Sequence, residues 1–120
     1  MSALNEYAIT KLVTVSGQDM KTGGATTLYT APVGKTVYIT HVMVREPSAS
    51  MAGGTDYDFT GWKQTVDLSS LTTLSTDYIL LDGNNAKYTK LAASAAFQIT
   101  VNTGTTAACT ATLDVFGILA

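Results

Sequence analysis

Apolar and polar residues alternate with a period of two along most of this chain, and the helical period is almost absent. In residues 8–15, AITKLVTV, Ile9, Lys11, Val13 and Val15 share one face and Thr10, Leu12 and Thr14 the other. The glycine-rich SGQDMKTGG then breaks the pattern, so residues 16–25 read as a mobile loop. TTLYT, residues 26–30, predicts a short strand. Pro32 and Gly34 mark a tight turn, because proline presets φ and glycine accepts a positive one.

The longest strand is predicted over residues 36–46. Strict alternation places Val37, Ile39, His41, Met43 and Arg45 on one face and Tyr38, Thr40, Val42, Val44 and Glu46 on the other. Both faces are then apolar for most of their length. Such a strand belongs in the middle of a sheet that is covered twice. Pro47 ends it, and residues 47–55 form a second long loop.

Tyr57 and Phe59 alternate before a bend at Gly61, and residues 69–77 have room for one helical turn with a serine or threonine cap. YILL, residues 78–81, is a strand that the Asp82-Gly83 turn signal ends, and AKYTKLAA returns after it. Phe97, Ile99 and Val101 alternate with Gln98, Thr100 and Asn102. In the last strand Ala111, Leu113 and Val115 oppose Thr112, Asp114 and Phe116. About eight short strands in one domain, residues 1–120, predict an all-β fold: an antiparallel, jelly-roll-like β-sandwich. The last strand is expected to pair inside a sheet or against a neighbour.

Chemistry along this pattern is sparse. His41 is the only histidine and Arg45 the only arginine, both in the long strand. A general base or metal-bound imidazole needs converging partners. There is no second histidine and no Gly-x-Ser-x-Gly elbow. His41 therefore reads as a core or interface residue, and no catalytic residue is assigned. Cys109, alone among small residues, reads as a buried inert thiol with no disulfide partner. Asp56 and Asp58 share a strand face. They could meet a hard cation such as calcium, but guarding an exposed sheet edge is the better reading. The glycine pairs at 23–24 and 53–54 lack the setting of a nucleotide-binding loop, so no cofactor or metal is expected. Trp62, with Tyr57 and Phe59 near it, offers a sugar-stacking platform or, more often for a lone tryptophan, a core or interface anchor.

The composition narrows the function class. The chain is 46% hydrophobic but only 13% charged, with a net charge of −2. The usual charged share is about 25%. A thin charge layer of this kind suits a subunit pressed against neighbours. Seven scattered cations do not make a phosphate-binding face, so nucleic acid is not an expected partner. No apolar run approaches a membrane span. The opening MSALNEYAITKLV shows no basic start before an apolar stretch, so no signal peptide is expected.

The stretch TLYTAPVGKTVYITHVMV, the DGNN turn, FQITVNTG and TATLDVFGIL together resemble small virion proteins of tailed bacteriophages. The likeness runs over residues 28–119 and rests on turn chemistry and alternation. It implies a β-sandwich that decorates or cements a capsid, or builds a head fibre, spike base, neck or tail part. It implies a virion location after synthesis in the host cytoplasm, with the major capsid protein or other virion proteins as partners. It also implies a homo-oligomer, with a trimer as the expected form. The expected contact residues are Tyr38, His41, Val42, Val44 and Trp62. A carbohydrate-binding module is the rival from another class.

Overall fold

The computed structural model describes residues 8–64, 66–71, 78–82 and 89–120. Among them the chain forms nine strands and one turn of 3-10 helix. The strands are β1 (Thr10–Asp19), β2 (Gly24–Thr30), β3 (Val37–Arg45), β4 (Asp56–Phe59), β5 (Trp62–Lys63), β6 (Tyr78–Asp82), β7 (Thr89–Leu91), β8 (Ala96–Thr103) and β9 (Thr110–Leu119). The helical turn, Leu68–Ser70, starts earlier than expected and is capped by Asp67, whose carboxylate accepts from the Ser69 amide.

Two antiparallel sheets pack face to face. The larger has the order β1-β9-β3-β6, with β7 also on β3, and the smaller the order β2-β8-β4-β5. The pairing is nested along the chain: β1 with β9, β2 with β8, β3 with β6 and β7, β4 with β5. One long ribbon has thus been wound on itself, and winding adds the β3–β9 and β4–β8 pairs. That is the jelly-roll arrangement. The last strand lies inside the larger sheet, as expected.

β6 and β7 do not return on one another. Both run antiparallel to β3, β6 along His41–Arg45 and β7 along Val37–Ile39, end to end on one edge. The turn expected at 82–85 falls outside the described residues beyond Asp82.

β3 corrects the face assignment made from alternation. Its register with β9 slips between Ile39 and His41, so Thr40 and His41 together oppose Phe116. This bulge inverts the pleat. Val37, Ile39, Val42 and Val44 all turn into the core, and Tyr38, His41, Met43 and Arg45 share the outer side. The strand is central, but only one of its faces is fully buried. The bulge is fastened by the Thr40 hydroxyl, which donates to the Phe116 carbonyl at 3.2 Å and lies 3.0 Å from His41 Nδ1. With its proton on the carbonyl, the hydroxyl accepts from Nδ1–H. A similar slip at Leu12 in β1 leaves Val13 and Val15 facing inward and Lys11 outward.

The first expected loop is also corrected, and the second is a loop as expected, though tied into the core. β1 continues through Asp19, because Gly17 at φ 71° admits a second bulge before Gln18. The Met20 side chain is fully buried beyond it. Its amide donates to the Cys109 carbonyl at 2.9 Å, and its carbonyl accepts from Tyr57 Oη at 2.7 Å and the Thr105 amide at 3.0 Å. In residues 47–55, Met51 is equally buried and its amide donates to Leu71. Ser48 and Ala52 bond to Thr110 and Thr106. Methionine suits such irregular gaps, being unbranched and adaptable. Gly104 lets the chains meet here: a Cβ on it would lie 2.2 Å from the Lys21 carbonyl oxygen. At the other end, the Lys35 amide bonds Pro32 across the expected turn, with Gly34 at φ 77°.

Candidate interaction surface

The outer sides of the two sheets differ in character. On the smaller sheet, Lys63 Nζ lies 2.6 Å from Asp56 Oδ1 and 3.0 Å from Asp58 Oδ1. Asn102 Nδ2 donates to both carboxylates, and Gln98 donates to Thr27. The Lys63 ammonium, and after it Asn102, holds the Asp56 carboxyl below its ordinary range. β5 covers β4 at Asp58 but not at Asp56, so only Asp58 lies inside the sheet. The two aspartates form an ion-pair ladder with the cross-strand lysine. Beside it an open groove of about 490 Å³ is lined by Thr55, Asp56, Lys63, Gln64, Val66, Asp67 and Thr103. Among the described residues no cluster of three or more histidine, cysteine or acidic side chains has metal-binding geometry.

The larger sheet presents a different face. The registers place its outward residues in rows across β1, β9, β3 and the β6–β7 edge. One row is Thr112, Arg45 and Tyr78. The next is Thr14, Asp114, Met43 and Leu80. The third is Lys11, Phe116 and His41, and the fourth Ile118, Tyr38 and Lys90. Tyr78 and Leu80 are 63% and 47% exposed. Tyr38, His41, Met43, Phe116 and Ile118 are half-buried. The His41 and Phe116 rings stack with centroids 4.5 Å apart and planes 12° from parallel.

One ion pair anchors this face. Asp114 is only 4% exposed. It accepts from Arg45 Nε at 2.7 Å and from the Thr14 hydroxyl at 2.7 Å, and Arg45 Nη1 reaches Glu46 at 2.8 Å. Burial pushes the Asp114 pKa up, and the bonds from Arg45 and Thr14 more than reverse that, leaving it below the usual carboxylate value. A carboxyl whose pKa falls on folding stabilises the fold above its unfolded value, and that contribution is lost as pH falls through the folded value. The wild-type protein should therefore lose this contribution below about pH 4. Arg45→Ala removes the cation and leaves burial less opposed. We expect the variant to melt below wild type at neutral pH, with the gap narrowing as the carboxyl takes up its proton toward acid. Parallel melting curves across pH 4–8 check this. A gap independent of pH would mean that Arg45 acts by packing alone.

The residues singled out from the sequence separate. Tyr38 and His41 lie on this face. Val42 and Val44 are fully buried in the core, on the other side of the bulged strand. Trp62 is 7% exposed and stacks on Phe59 at 4.6 Å, with Phe97 behind both. Tyr57 and Phe59 are buried too, so these three rings offer no platform to a sugar. Cys109 is buried at the loop end of the core, with its thiol toward the Ala49 carbonyl, and does not meet His41. Asp114, Thr14 and Phe116 were not picked out. The available signal was a lone acid in the apolar last strand and a lone arginine in the long one.

No family model, curated protein or solved structure matches the chain. Among the described residues no helix is long and apolar enough to cross a membrane.

Proposed function

We propose that the chain is a structural virion subunit, a capsid decoration protein that binds the assembled shell and stabilises it. The observation that carries this reading is the outer face of the larger sheet. A solitary sandwich usually turns polar side chains to water there. Here Tyr38, Met43, Tyr78, Leu80, Phe116 and Ile118 stand among threonines, two lysines and the neutralised Arg45–Asp114 pair. Such a face suits packing against protein. The jelly roll supports the reading only in part, because the fold serves capsid and lectin domains alike. The resemblance to phage virion proteins supports the capsid side, and the burial of Tyr57, Phe59 and Trp62 takes away the sugar platform that favoured the lectin side.

Binding only to the assembled shell strengthens it by mass action. With 13% charged residues, the contact should rest on apolar packing and hydrogen bonds, so salt should weaken it little. The test mixes the purified protein with undecorated capsids and sediments them in low and molar salt. We expect saturable binding in both, and shells that resist heat better. Absence of co-sedimentation, with tight binding to a glycan array, would transfer the assignment to carbohydrate recognition.

A further inference from the structure

We draw no further inference here: the strongest candidate, the outer face of the larger sheet with Tyr78 and Leu80 exposed on β6, carries none, because nothing in the structure shows what covers it.

Discussion

Replacing Val42 with aspartate should leave no folded protein, whereas replacing its neighbour Met43 with glutamine should leave the fold intact. Val42 is 0% exposed and stands beside Val115 and Leu81 in the register of the larger sheet. A carboxylate there has no cation or donor to meet, and the cost of burying it rivals the roughly 5–15 kcal/mol that holds a domain together. Met43 is on the outer side, between Asp114 and Leu80, where an amide can reach water. Soluble yield and circular dichroism of the two variants check this. A folded Val42→Asp protein would show that the bulge at Thr40 is not where the register puts it.

The second large effect is expected at Tyr57. Its ring is fully buried and its hydroxyl donates to the Met20 carbonyl, joining β4 to the turn after β1. Tyr57→Ala removes the ring from a close-packed site and should cost about 3–5 kcal/mol. Tyr57→Phe keeps the ring and loses one bond, at about 1 kcal/mol; the Thr105 amide still reaches the same carbonyl. Urea denaturation of the three proteins separates the two contributions. Burial pushes the Tyr57 hydroxyl up to about 12. A group whose pKa rises on folding stabilises below its unfolded pKa of about 10 and loses that contribution as pH climbs through the folded value. Wild type should therefore weaken between about pH 10 and 12 more than Tyr57→Phe does. Equal alkaline loss in both would place the sensitivity elsewhere.

Much of this architecture is readable from the chain, and the failures share one cause. Alternation correctly assigns the faces of β8 and β9, since neither strand is bulged at its core positions, and Pro32 with Gly34 correctly marks a turn. It misassigns β3 because the bulge at Thr40 depends on Phe116, a partner 76 residues away, and leaves no local trace. From His41 onward every residue therefore changes sides, which takes His41 away from the face of Val37 and Ile39 and moves Val42 and Val44 from the expected surface to the core. The same reasoning covers the loops: Met20 and Met51 look like incidental apolar residues among glycines until the opposing chain segments are in place. Trp62 carries no mark of inside or outside, because a tryptophan beside a bend fits either. Alternation puts His41 and Tyr38 on opposite faces, and the bulge brings them to one; the buried Asp114 that organises this face is visible only once Arg45 reaches it from the neighbouring strand.

The nested pairing also has a consequence in time. β1 is the first strand and its ladder partner is β9, so the pairs that close the larger sheet join opposite ends of the described chain. Each requires a long loop to be closed before any contact rewards it. Folds dominated by such distant pairs reach the native state in about milliseconds to seconds, where helical bundles take microseconds to milliseconds. During synthesis, β3 has no inner neighbour on its β9 side until residues 110–119 have been made, and its apolar row stays open until then. The growing chain must therefore wait, exposed to chaperones or to other nascent copies, for its last strand. Low temperature or slowed translation should lengthen that interval and determine how much of the protein reaches the native fold.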